Sequence, residues 1–258
     1  MATPLAFRVF EAEMLIYRRT WIGSVFSGFL NPILYLVAMG VGLGSLVDAN
    51  LPEGLDGVSY LTFLAPGLLV ASAMQTGAAE GSWKVLGGIK WMPTWNARLA
   101  TPVSVHALTL GHIYWSAARV LMVSASFAVV ITLFGVTSPL QALGTLIPAM
   151  LVGVAMVAAT TAYTVRLKTF TGIPVYLRFV VIPMFLLSGV FFPLSQLPGW
   201  IHPIAWVTPV YHGVEMARSI ALGTTPFIAS WISALYLTAW IVVGTALIVR
   251  PLRKQLTP

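Results

Sequence analysis

The stretch Pro139–Val165, "PLQALGTLIPAMLVGVAMVAATTAYTV", contains no charged residue. About 20 mostly apolar residues in an α-helix cross a bilayer, because each adds about 1.5 Å and the hydrocarbon core is about 30 Å thick. This stretch is therefore a predicted transmembrane helix. The whole chain is 58% hydrophobic and 8% charged, whereas soluble domains average about 25% charged residues. These values predict an all-α membrane protein.

Five further stretches are long and apolar enough to span a bilayer, which gives six predicted transmembrane helices. They are Trp21–Val47, Leu61–Ala79, Val105–Phe134, Ile173–Leu194 and Pro226–Val249. No composition shift, low-complexity tract or repeat divides the chain, so residues 1–258 are predicted to form one domain. There is no cysteine, which excludes disulfides and thiolate catalysis.

The basic residues between the predicted spans fall almost entirely on alternate sides. Eleven of the fourteen Lys and Arg residues lie in the two tails and in the loops after the second and fourth spans. Loops rich in Lys and Arg stay on the cytoplasmic side of a membrane. We therefore expect a multi-pass protein of the cell membrane with both termini in the cytoplasm. The same placement favours membrane lipid over nucleic acid as the partner of the positive charge.

The sequence lacks the motifs of several enzyme classes. It has no phosphate-binding G-x-x-x-x-G-K-[ST] loop, so we expect this chain to bind neither ATP nor Mg²⁺ by that route. Its four histidines show no metal-ligand spacing with carboxylates, and no catalytic set stands out. Arg119 lies inside the third predicted span, where a charge is costly. Two interpretations stay open for it: a contact to a polar substrate, or an interhelical hydrogen bond to backbone carbonyls or hydroxyls.

Two segments outside the spans combine apolar and polar character. Gly87–Pro102 is predicted to form an amphipathic helix at the membrane surface, with Trp91 and Trp95 on one face. Residues 195–225 are predicted to form short helices that enter the outer leaflet, because their prolines disfavour one long helix. The residues that mark this predicted outer hairpin are Pro198, Trp200, Pro203, Trp206 and Pro209.

Two long blocks resemble a known family. Phe63–His112, "FLAPGLLVASAMQTGAAEGSWKVLGGIKWMPTWNARLATPVSVHALTLGH", resembles the permeases of ABC type-2 exporters of the nodulation-factor kind. Arg178–Arg218, "RFVVIPMFLLSGVFFPLSQLPGWIHPIAWVTPVYHGVEMAR", resembles the second block of that group and, more loosely, of daunorubicin-resistance permeases. The resemblance extends over most of the chain.

The resemblance implies a fold and a set of partners. Such permeases have six spans, an interface helix over residues 1–20 here, a coupling segment over residues 80–102 and a re-entrant outer hairpin. They pair with a second permease, identical or a sister, and with separate ATP-binding subunits that hold ATP and Mg²⁺. The docking surface for the ATPase is assigned to Lys90, Trp91, Trp95, Arg98 and Thr101.

The function expected from these observations is ATP-driven outward transport of an amphipathic lipid-linked, glycolipid or drug-like molecule. An ion-driven secondary transporter is one alternative, although such proteins usually carry carboxylates within their spans. A membrane assembly subunit that transports nothing is the other alternative.

Overall fold

The computed structural model describes residues 4–50 and 57–256, with the side chains of 255 and 256 left out. Glu53 and Asp56, which follow the first predicted span, lie outside the described residues. Within the described residues the secondary structure is helical, without a strand. The all-α membrane class predicted from composition is therefore confirmed.

Eleven helices are labelled here along the described part of the chain. They are α1 Leu5–Tyr17, α2 Trp21–Asn50, α3 Tyr60–Gly81, α4 Trp83–Lys90, α5 Thr94–Leu99, α6 Val105–Leu133, α7 Pro139–Thr164, α8 Gly172–Leu187, α9 His202–Val207, α10 Pro209–Leu222 and α11 Ser230–Leu256.

Five of these helices, α2, α3, α6, α7 and α11, are long and apolar enough to cross a membrane. The fifth predicted span was expected to reach Leu194, but α8 ends at Leu187. Gly189 adopts φ +77°, a left-handed conformation that ends helices and is open mainly to glycine. At about 1.5 Å per residue, α8 is about 24 Å long and shorter than the core of a typical bilayer.

Local sequence signals fix where the long helices begin. The hydroxyl of Ser104 accepts a hydrogen bond from the backbone N–H of Ala107 and caps α6. Ser138 and Gln141 form a reciprocal capping box at the start of α7, with Pro139 in the first turn. These side chains satisfy backbone donors that a helix leaves without partners at its N-terminus.

Helix α3 lies at the centre of the bundle and packs against α6, α7 and α10. Gly77 allows α3 to approach α7 closely, because a Cβ atom at this position would overlap the backbone carbonyl of Gly153 in α7. Small residues one helical turn apart are a common means of close packing between membrane helices. Gly81, four residues on, makes a similar approach to Thr160 and Thr161.

The segment between α8 and α11 contains short helices, as its prolines predict. α10 is more buried than expected, because it packs between α3 and α7. Pro209 and Tyr211 are buried in this packing. Trp200 and Trp206 stay exposed, and entry of this segment from the outer leaflet remains a prediction.

Candidate functional site: a chain of ion pairs beneath an exposed docking face

The segments predicted to be cytoplasmic meet at one end of the bundle, called the basic end here. Lys84 of α4 contacts Glu13 of α1. Trp91, which follows α4, stacks on Phe170 of the loop between α7 and α8, with ring centroids 4.6 Å apart. Arg166 of that loop donates a hydrogen bond to the backbone carbonyl of Leu247 in α11. The two tails and two loops that carry eleven basic residues therefore belong to one surface.

The predicted amphipathic helix over Gly87–Pro102 is wrong as a single helix. α4 ends at Lys90 and α5 begins at Thr94, because Pro93 has no backbone N–H and disfavours a helical residue before it. Trp91 and Trp95 therefore do not share a face. Trp91 is 57% exposed, whereas Trp95 is 4% exposed and packs on the His112 ring of α6.

The exposed surface left by this break is called the docking face and consists of Trp83, Lys90, Trp91 and Met92. The two indole rings stack with centroids 6.3 Å apart, and Met92 is 73% exposed. A contiguous exposed apolar patch beside a polar rim is typical of a protein–protein contact. Of the predicted docking residues, Lys90, Trp91 and Thr101 are exposed, whereas Trp95 lies beneath the face and contributes packing.

A chain of ion pairs runs from Arg98 in α5 into the bundle. Arg98 Nη2 lies 2.7 Å from Glu13 Oε1, and Glu13 Oε2 lies 3.1 Å from Lys84 Nζ. Lys84 Nζ also lies 3.0 Å from Glu80 Oε2, and Glu80 Oε1 lies 3.5 Å from Arg119 Nε. These five residues, called the charge chain here, connect α1, the α4–α5 segment, α3 and α6.

Burial strengthens the charge chain. The side chains of Glu13 and Glu80 are 12% and 14% exposed, and charges interact more strongly when water is largely excluded. Burial raises the pKa of Glu13, but the charges of Lys84 and Arg98 lower it by more, so its pKa lies below the ordinary value of 4.5. Glu13 is therefore an ionised carboxylate at neutral pH.

Arg119 has a partner that neither interpretation of the sequence named. Its guanidinium pairs with the carboxylate of Glu80 and lies over the ring of Tyr17, 4.6 Å from the centroid. Tyr17 ends α1, and Glu80 lies one residue before the end of α3. Arg119 is therefore level with these helix ends, although it lies near the middle of α6 in sequence.

A polar cavity of about 250 Å³ opens beside the inner end of the charge chain, between α2, α3 and α6. Its polar lining includes Asn31, Ser72, Gln75, Thr76, Glu80 and Arg119. The amide side chains of Asn31 and Gln75 are exposed. Among the predicted spans this is an unusual concentration of polar groups, since exposed polar groups are unfavourable in hydrocarbon.

Sequence reasoning missed the charge chain, although some of its signals are present in the sequence. Glu80 and Lys84 have the i, i+4 spacing at which helical side chains pair. Glu80 also lies at the edge of a predicted span, within reach of a charge such as Arg119 in the neighbouring span. The contribution of Glu13 depends on how α1 packs, with Val9 against Gly111 and Phe10 against Trp115, which sequence spacing does not reveal.

Another buried arginine was missed for a similar reason. Arg218 falls within the predicted outer hairpin, residues 195–225, and lies in α10, where it is 7% exposed. It pairs with Glu215 and donates a hydrogen bond to the carbonyl of Gly189. Its guanidinium also lies 3.8 Å from the ring centroid of Phe63 in α3. Arg218 thereby fastens the end of α8 to the bundle centre.

The described residues form a helical bundle with five apolar helices long enough to span a membrane and a polar, exposed end. The chain belongs to the ABC-2 type transporter family, which it matches over residues 5–222. Membership makes it a membrane permease of an ABC exporter and not an enzyme.

Individual relatives extend the match. The chain is 28% identical to "Nodulation protein J" of Rhizobium meliloti (strain 1021), over 97% of this chain and 93% of that protein. It is 29% identical to "Nodulation protein J" of Rhizobium leguminosarum bv. trifolii, over 83% and 80%. It is 26% identical to "Inner membrane transport permease YadH" of Escherichia coli (strain K12), over 90% and 91%. The resemblance inferred from the two sequence blocks is thus confirmed.

Proposed function

We propose that this chain is the membrane subunit of an ATP-driven exporter and that a separate ATP-binding subunit binds to the docking face. The partner binds ATP and Mg²⁺, since the chain has no phosphate-binding loop. A second permease, identical or a sister, completes the complex in the cell membrane with both termini in the cytoplasm. The single observation that carries the proposal is the charge chain, which joins the segment beside the docking face to the membrane helices.

The charge chain suggests how a push on the docking face reaches the bilayer. Lys84 and Arg98 flank the docking face and both hold Glu13. A displacement of α4 and α5 therefore moves α1 with them. Through Glu80 and Arg119 the same displacement acts on α3 and α6. The partner supplies the energy of ATP hydrolysis, and this chain converts it into a change in access across the membrane.

The proposed cargo is an amphipathic lipid-linked, glycolipid or drug-like molecule. The polar cavity beside Arg119 offers amide, hydroxyl and charged groups to a polar portion, while the surrounding spans are apolar. In this proposal the segment Pro198–Pro209 covers the outer exit. The chain is similar along most of its length to the nodulation proteins and to the transport permease matched above, which supports a transport function. The amphipathic cargo is proposed from the polar cavity and the apolar spans around it.

The docking step is tested with the complete complex of this chain and its ATP-binding subunit. Trp91→Ala removes an exposed aromatic residue at the proposed contact, where such residues contribute most of the binding energy. We expect association to weaken about tenfold or more. Trp231→Ala is the matched control, because Trp231 is also exposed but begins α11, away from the basic end.

The measurement is the affinity of the ATP-binding subunit for the permease, which is held in nanodiscs on a sensor surface. Equal affinity of Trp91→Ala and the original chain would contradict the docking face. If Trp231→Ala weakened binding as strongly as Trp91→Ala, the contact would lie elsewhere, and the proposal would also be wrong.

A further inference from the structure

A groove of about 720 Å³ lies at the basic end between the first turns of α6 and the last turns of α11. Its walls are mainly apolar and include Leu110, Ile113, Ile241, Val242 and Val249. Val242 is exposed, as is Leu110, so the groove opens toward the surroundings of the bundle. For transmembrane helices those surroundings are the acyl chains of the bilayer.

The mouth of the groove is positively charged. Arg250 and Arg253 of α11 and His106 of α6 line it at the basic end. Neither Asp nor Glu is present among the residues that line the groove. A basic pocket between membrane helices is a means of binding an anionic lipid headgroup, since Lys and Arg near the membrane surface attract anionic lipids.

The groove has the length of one leaflet. From Arg253 to Ile241 the helix α11 advances about 18 Å, at about 1.5 Å per residue, and half of a hydrocarbon core is about 15 Å. Both residues line the groove. The basic residues thus lie one leaflet away from the inner end of the apolar wall, which is the arrangement of a phosphate and an acyl chain in a phospholipid.

We propose that this groove is a binding site for an anionic phospholipid of the surrounding bilayer. The phosphate contacts Arg250 and Arg253, and one acyl chain lies along the apolar wall of α6 and α11. A phosphatidylcholine headgroup places a cation near the same arginines and binds less well. Free phosphate lacks an acyl chain and leaves the apolar wall empty. The site does not depend on the proposed transport function.

The test uses the full chain in nanodiscs that contain equal amounts of phosphatidylglycerol and phosphatidylcholine. Native mass spectrometry counts the lipids that each chain retains. We expect retention of phosphatidylglycerol over phosphatidylcholine, and a loss of this preference by about tenfold or more in Arg250→Gln/Arg253→Gln. Lys254→Gln is the matched control, because Lys254 is exposed beside these residues but does not line the groove.

A second variant separates the acyl-chain site from the headgroup site. Ala246 lines the groove and is exposed, so Ala246→Trp fills the groove while both arginines remain. We expect Ala246→Trp to retain less phosphatidylglycerol than the original chain, as the double arginine variant does. Arg250→Lys/Arg253→Lys keeps the charge and should retain part of the preference. The unfolding temperature of each variant in phosphatidylcholine alone serves as the check that the fold is intact.

Three results would overturn the proposal. One is equal retention of the two lipids by the original chain. Another is displacement of phosphatidylglycerol by excess inorganic phosphate, which would make the occupant a free anion. The third is a loss of dimers in Ala246→Trp with unchanged lipid retention, which would assign the groove to a contact between two copies.

Discussion

Arg98 Nη2 lies 2.7 Å from Glu13 Oε1, so the segment after the docking face is fastened to the N-terminal helix. The sequence suggested that Arg98 contacts the ATP-binding subunit directly. In the structure its guanidinium pairs with Glu13 of the permease itself, and contact of Arg98 with the partner stays a prediction. Arg98 and Glu13 connect α5 to α1, the two helices that the partner is proposed to move together.

A double-mutant cycle on Glu13 and Arg98 measures this connection. We expect Glu13→Gln and Arg98→Gln to destabilise the permease singly and to show an interaction free energy of about 0.5–3 kcal/mol. The measurement is chemical unfolding in mixed micelles. Additive effects of the two substitutions would mean that the pair contributes nothing. The pair Glu215→Gln and Arg98→Gln is a control, since these residues belong to separate ion pairs.

The pH dependence of stability tests the ionisation of Glu13. Its pKa is lowered by Lys84 and Arg98 against the opposing effect of burial. A carboxylate with a lowered folded pKa contributes stability above its unfolded pKa and loses it as pH falls through the folded value. We therefore expect the original chain to unfold at a higher temperature than Glu13→Gln at pH 7. This difference in unfolding temperature should shrink as the pH falls below 4.5, the ordinary pKa of a glutamate. A difference that stays constant as the pH is lowered would contradict the ion-pair account.

The close approach of α3 and α7 predicts that added volume at Gly77 is harmful. Gly77→Ala places a methyl group against the Gly153 backbone, which has little room to move. Overpacking of this kind costs about 1–3 kcal/mol. Gly23→Ala is the matched control, because nothing lies within 4 Å of the added carbon and alanine favours a helix. Unfolding temperatures in one detergent compare the two, and equal values would contradict the packing.

The orientation of the chain is open to a direct test because it contains no cysteine. Single cysteines at Thr101, near the docking face, and at Gly199, in the predicted outer hairpin, are treated with a membrane-impermeant maleimide. We expect Gly199→Cys to react in intact cells and Thr101→Cys only after the membrane is opened. The reverse pattern would place the docking face outside the cell, where ATP-binding subunits are absent.

The sequence predicted the fold class well because apolar length is a local property. The bounds of α7 and the cap at Ser138 follow directly from the residues present. The end of α8 at Leu187 could not be predicted in this way, since it depends on the left-handed backbone of Gly189. The helix break at Pro93 follows from the proline itself, and the prediction of one helix over Gly87–Pro102 did not take it into account.

The candidate site was predicted less completely. Lys90, Trp91 and Arg98 were assigned to the docking surface because they lie in the basic aromatic segment that the resemblance identifies as the coupling segment. Their separation into an exposed face and a buried ion pair depends on tertiary contacts with Glu13. Such contacts join residues far apart in the chain, and neither helical periodicity nor charge counting reveals them.

The central claim is that a nucleotide-hydrolysing neighbour drives this permease from its basic end. The most direct measurement is movement of a fluorescent phospholipid and of a hydrophobic dye across vesicles that contain the complete complex. We predict movement that requires ATP and the ATP-binding subunit, and that falls sharply in Trp91→Ala but not in Trp231→Ala. Movement by the permease alone, powered by an ion gradient, would contradict the claim.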